Sequence, residues 1–160
     1  MLLNKSVKGF SIIELVVVMA ILALLGTLAL PSAQLILQRN KEHQLRTALH
    51  DIRQAIDAYY KAYADGKLQK MSGASGYPPD LQSLVEGVND VTHPGQKRMY
   101  FLRRIPRDPF YPDNQVDAAD TWGLRSYDSD YENPREGDDV FDVYSLSEQL
   151  SISGEPYRQW

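Results

Sequence analysis

The sequence predicts an α+β fold, a long N-terminal helical spine packed against a small antiparallel β-sheet. Three observations carry that prediction. An apolar run opens at Phe10 and passes into a helical pattern that lasts to about Asp65. A single apolar stripe (Leu45, Leu49, Ile52, Ile56, Tyr59 and Tyr63) follows the second half of that pattern at three- and four-residue steps. Short strand-like segments punctuated by Pro106, Pro109 and Pro112 occupy the C-terminal part. A chain of 160 residues is long enough for one compact domain plus an accessory element.

The first nine residues, MLLNKSVKG, carry Lys5 and Lys8 and no acid. From Phe10 to Gln38 the only charged residue is Glu14. Leu15 to Gln38 comprises 24 residues, roughly 36 Å as helix at about 1.5 Å per residue. That length crosses the roughly 30 Å hydrocarbon core of a bilayer. The two lysines ahead of the run orient the N-terminus toward the cytoplasm and put the remainder outside.

Three readings of this run compete. A cleaved secretory signal has a shorter apolar core and no acid within it, although Thr27-Leu28-Ala29 resembles a processing site. A plain single-span anchor accounts for length and orientation but gains nothing from Glu14. A carboxylate in hydrocarbon costs about 2.5–3.5 kcal/mol at the centre of a span and calls for a partner. The third reading supplies one. Gly9-Phe10-Ser11-Ile12-Ile13-Glu14-Leu15 resembles the processing signal of type IV pilins and pseudopilins.

The resemblance implies cleavage by a prepilin peptidase between Gly9 and Phe10, with Phe10 left as an N-methylated N-terminus. Loss of Lys5 and Lys8 then takes the net charge from −4 to −6. It also implies that Glu14 of one copy neutralises the Phe10 amine of its neighbour, two charges costly apart and tolerable together. Pro31 removes one helical hydrogen bond, nominally to Thr27, and with Gly26 nearby predicts a kink. Pilin-like spines resemble this chain in carrying a proline at that distance.

After Gln38 the helix turns amphipathic. Glu42/Arg46 and Asp57/Lys61 are spaced as supportive i,i+4 pairs, and Gly66 is a stop signal. The predicted organisation is a leader at 1–9, a transmembrane and polymerisation segment at 10–38, a spine continuation at 39–66 and a globular α+β region at 67–160. Within the last, GKLQKMSGASG is a connector and Leu81, Leu84 and Val85 predict a short helix ending at Gly87. VNDVTHPGQKR reads as a loop, and strands are predicted over Tyr100–Ile105, Leu124–Tyr127 (with Trp122 as an alternative start) and Val140–Leu146.

Tyr77-Pro78, the Leu81–Leu84 helix, Arg104-Ile105-Pro106-Arg107-Asp108-Pro109-Phe110, Trp122-Gly123 and Val140-Phe141-Asp142-Val143-Tyr144-Ser145 resemble, as an ordered set, the major pseudopilins of type II secretion (the general secretion pathway protein G family). Here the tryptophan-glycine pair follows an insertion, YPDNQVDAADT, which departs from the family pattern. The resemblance implies a subunit that polymerises with its own copies and with minor pseudopilins on an inner-membrane platform. The filament it implies is a periplasmic pseudopilus that drives protein export, on a single-pass inner-membrane anchor. A pilin of a surface pilus (adhesion, twitching or DNA uptake) and a singly anchored periplasmic domain that never polymerises stand as the alternatives.

No cofactor is required by the sequence, but the resemblance implies a calcium ion in a C-terminal loop. That loop, SLSEQLSISGEPYRQW, offers Leu146, Glu148 and Glu155 as candidate ligands, and calcium's six to eight oxygens would need backbone carbonyls and water besides. Without metal, Tyr157 and Trp160 docked on the sheet would hold the tail. His43 and His50 lie seven apart on the helix with no third ligand and read as surface histidines.

The chain has no cysteine, which removes disulfides, thiolate metal sites and thiol nucleophiles. It has no GxSxG and no phosphate-cradling loop, so no enzyme activity is expected. No basic patch interleaves with aromatics, so no nucleic-acid partner is expected. Charge is unevenly spread, with 12 basic and 7 acidic residues from Arg39 to Arg107 against 3 and 13 from Asp108 to Trp160. That asymmetry predicts either attraction between the arm of Arg39, Arg46 and Arg53 and the acidic half of a neighbouring copy or simply two differently solvated surfaces.

Overall fold

The computed structural model describes residues 9–70, 73–93, 95 and 97–160, without the side chains of residues 27–33. The first helix, α1, runs Ile12–Ala64. The chain divides into two compact units, Met1–Arg39 and Asn40–Trp160. Among the described residues no helix is long and apolar enough to cross a membrane. The expected span, 15–38, includes residues 27–33, and the expected kink at Pro31 falls on side chains outside the described ones.

The end of α1 follows from Gly66. With φ at 73° it adopts the left-handed conformation that a side chain resists. Its N–H bonds to Tyr63 O at 3.0 Å while Lys67 N–H reaches Ala62 O at 3.0 Å. These paired bonds satisfy two otherwise orphaned carbonyls, a Schellman closure.

In the second unit α1 buries Leu45, Leu49, Ile52 and Ile56 as its stripe predicts, and half-buries Tyr59 and Tyr63. Ala48, Ala55 and Ala62 are buried beside them, seven residues apart on the adjoining row, where small side chains let the covering chain approach. The i,i+4 pairs predicted on its surface are not among the described ion pairs.

The second helix, α2 (Gln82–Glu86), buries Leu84. Asp80 starts it, accepting the Ser83 N–H at 2.7 Å, and Gly87 with φ at 79° ends it. One strand expectation and one loop expectation are corrected here. Tyr100–Ile105 is not a strand, because the Phe101 and Leu102 N–H groups both bond to Leu84 O, at 3.0 and 2.9 Å. The segment read as a loop instead contributes an antiparallel pair, β1 (Val88–Asn89) with β2 (Arg98–Met99).

The remaining pair, β3 (Trp122–Arg125) and β4 (Asp142–Ser145), is antiparallel with Trp122 opposite Ser145 and Arg125 opposite Asp142. Among the described residues the expected single sheet is two separate two-stranded sheets. Such ribbons are marginal alone. Here Trp122, Val140, Val143, Phe110 and Tyr157 join the α1 residues and Leu84 in one buried cluster.

The motif residues of this unit meet one another. Asp108, 1% exposed, accepts the Phe110 N–H at 2.7 Å and the Ser145 hydroxyl at 2.5 Å. Trp122 donates its indole N–H to Pro106 O at 2.8 Å. Arg107 binds the carbonyls of Asp113 and Val116, which clips the insertion shut.

Candidate assembly site

Gly9, Phe10 and Ser11 precede α1, and the first intrahelical bond runs from Leu15 N–H to Ser11 O at 3.2 Å. Glu14 stands in the first turn, where the partial positive charge of unsatisfied N–H groups favours a carboxylate. The structure thus brings Gly9, Phe10 and Glu14 together at one helix end, all exposed. Phe10 is 82% exposed and Ile12 84%. Beyond them Leu15, Val16, Met19, Leu22 and Leu25 are exposed as well.

The calcium candidates lie at the surface. Glu148 and Glu155 are exposed, as is Leu146. Among the described residues no group of three or more His, Cys, Asp or Glu is placed to hold a metal ion. The turn also uses its own oxygens, since Ser151 O accepts Gly154 N–H at 2.9 Å and Glu155 O accepts Ser151 N–H at 2.8 Å.

The tail is held by other contacts. Tyr157 is fully buried and stacks on Phe110 with ring centroids 4.0 Å apart, while Trp160 packs edge-on to Tyr157 at 5.1 Å. The tail's aromatic anchor is therefore Phe110, of the proline-rich segment. Glu42 is the residue the sequence analysis missed, because it read there as half of a surface pair with Arg46. Its Oε1 accepts the Ile152 N–H at 2.7 Å and the Tyr157 hydroxyl at 2.9 Å. Arg46 lies instead over the Trp160 ring, 4.3 Å from its centroid. Only the i,i+4 spacing was visible in the sequence, and it pointed to the wrong partner.

The basic arm is likewise engaged within the chain. Arg53 donates to Asp142 Oδ1 at 2.8 Å, to Val143 O at 3.2 Å and to Trp160 O at 2.7 Å. Within the chain Arg53 thus already meets an acid of the C-terminal half, Asp142. His43 and His50 are exposed. The surroundings shift the pKa values of Tyr59, Tyr77 and Asp90. Burial raises Tyr59 and Tyr77, the latter helped by Tyr60, Tyr127, Asp57 and Asp139. Hydrogen bonds from the Thr92 side chain and backbone lower Asp90, with a smaller contribution from His93.

Comparison with known proteins bears on the N-terminal site directly. Residues 4–30 match the prokaryotic N-terminal methylation motif. The chain is 31% identical over 119 residues to the type II secretion system core protein G of Dickeya chrysanthemi, covering 71% of this chain and 70% of that protein. It is 28% identical over 117 residues to the type II secretion system core protein G of Klebsiella michiganensis, covering 71% of this chain and 75% of that one. No solved structure matches significantly.

Proposed function

Because the chain belongs to the type II secretion system core protein G family, with an α+β, type IV pilin-like fold, we propose that it is a pseudopilin whose work is polymerisation. A prepilin peptidase removes residues 1–9 and Phe10 becomes the methylated N-terminus. The apolar segment anchors the chain once in the bacterial inner membrane, with the globular unit in the periplasm. Copies then join one another and minor pseudopilins on an inner-membrane assembly platform. The resulting pseudopilus drives folded proteins toward the outer membrane, and the subunit itself catalyses nothing.

The observation that carries this reading is Glu14, the lone charge between Phe10 and Gln38, in the first turn of α1. Left unpaired in lipid it costs about 2.5–3.5 kcal/mol at mid-span depth. The amine freed at Phe10 of an adjoining copy offsets that cost only when subunits stack in one register. The matched methylation motif supports the same assignment.

Mass spectrometry of the membrane-extracted protein tests processing, with Phe10 carrying a methyl group as the expected N-terminus. Glu14→Ala is expected to leave cleavage intact and to abolish sedimentable polymer and secretion. Polymer at wild-type abundance from that variant would overturn the proposal.

A further inference from the structure

We infer that Glu42 is a carboxylate clasp that holds the C-terminal turn directly, in the role that the family resemblance assigns to a metal ion. The inference rests on the second unit alone and not on polymerisation. Within the turn the backbone closes on itself through Ser151 N–H to Glu155 O, Gly154 N–H to Ser151 O and Tyr157 N–H to Gln149 O. The Ser151 hydroxyl accepts Glu155 N–H at 3.0 Å. Gly154, with φ at 87°, lets the chain reverse. Ile152 N–H points out of this set, and it meets Glu42 Oε1 at 2.7 Å.

The polarity of the convergence decides what the site can hold. A calcium ion needs several acceptor oxygens aimed at one point. Here the groups that converge are donors, the Ile152 N–H and the Tyr157 O–H, and what meets them is an anionic oxygen. The carbonyls of Gln149, Ser151 and Glu155 each accept one bond inside the turn. Tyr157 is immobilised by its stack on Phe110, so its hydroxyl is presented at a fixed place. Hydrogen bonds to a charged acceptor are the stronger kind, and these two tie the end of the chain to α1 across 110 and 115 residues. Glu42 is a positioning residue for the turn.

The test is hydrogen exchange at the Ile152 amide, with thermal unfolding, on the full-length chain in detergent micelles. The wild type should give the same exchange rate and the same Tm in EDTA and in millimolar calcium. Glu42→Ala should speed Ile152 exchange about tenfold or more. Glu42→Gln keeps an acceptor oxygen without the charge and should fall between, and it decides the matter if the alanine variant does not fold. Glu148→Gln and Glu155→Gln should leave the rate unchanged. Slowing of Ile152 exchange by calcium in the wild type, loss of such slowing in the Glu148 or Glu155 variants, or wild-type exchange in Glu42→Gln and Glu42→Ala would each overturn the inference.

Discussion

Gly123 shows how one residue type is imposed by a neighbour. It pairs with Tyr144 across β3 and β4, and a Cβ at this position would enter the van der Waals surface of the Tyr144 ring. The Trp122-Gly123 dipeptide therefore couples a buried indole to a backbone that an aromatic ring covers. Gly123→Ala should destabilise the second unit by about 1–3 kcal/mol through overpacking, read as a lower urea midpoint with unchanged slope. Asp108 and Ser145 illustrate the complementary case. Each is an ordinary polar residue in the sequence, 37 positions apart, and the fold buries them as one hydrogen-bonded pair. Both glycine and aspartate were legible as motif letters. Their reason was not, since it lies in a residue on another strand.

The β1–β2 hairpin is the element that the sequence analysis missed, and its loop explains why. Two-residue strands carry no detectable alternation, so the pairing depends on the loop that joins them. Asp90 organises that loop, donating its N–H to Lys97 O at 2.9 Å. It accepts Thr92 N–H at 2.9 Å, the Thr92 hydroxyl at 2.5 Å and a contact from His93 Nδ1 at 2.8 Å. These bonds favour the ionised carboxyl and hold its pKa below the ordinary 3.8. A lowered folded-state value means that the loop's stabilisation is full above that ordinary value. It fades as pH falls through the folded-state one. Exchange at the Thr92 amide, corrected for its intrinsic pH dependence, should lose protection below about pH 4, and Asp90→Asn should remove that transition. A titration curve identical in wild type and variant would contradict this account. The Tyr100–Ile105 misreading has the same root, because its strand-like composition is overridden by the Leu84 carbonyl that captures two of its N–H groups.

At the scale of the whole second unit, one described ion pair joins the basic half to the acidic half. Asp142 receives Arg53 at 2.8 Å and Arg125 at 3.3 Å, and Arg53 also reaches the Trp160 carbonyl. Arg53→Glu should lower stability by about 1–2 kcal/mol, a modest figure because the pair is partly solvated and screened. Denaturant unfolding at low and high salt checks it, and the loss should shrink as salt rises. An unchanged midpoint at low salt would show that Arg53 is free of Asp142 in solution. The described apolar side chains of α1 in the first unit are exposed, while in the second unit Leu45, Leu49, Ile52 and Ile56 join a cluster with residues later in the sequence. One helical pattern thus meets two environments.

The sequence by itself determined the N-terminal motif and the α+β class. Gly9, Phe10 and Glu14 lie within six residues, so their grouping needs only a local helix, and the stripe from Leu45 to Tyr59 is set by the 3.6-residue period. Tertiary structure alone decided which partners the polar residues take. Glu42 binds Ile152 and Tyr157, Arg53 binds Asp142, and Asp108 binds Ser145. Those choices arise from packing over long sequence separations, where spacing along the chain carries no information about distance in space.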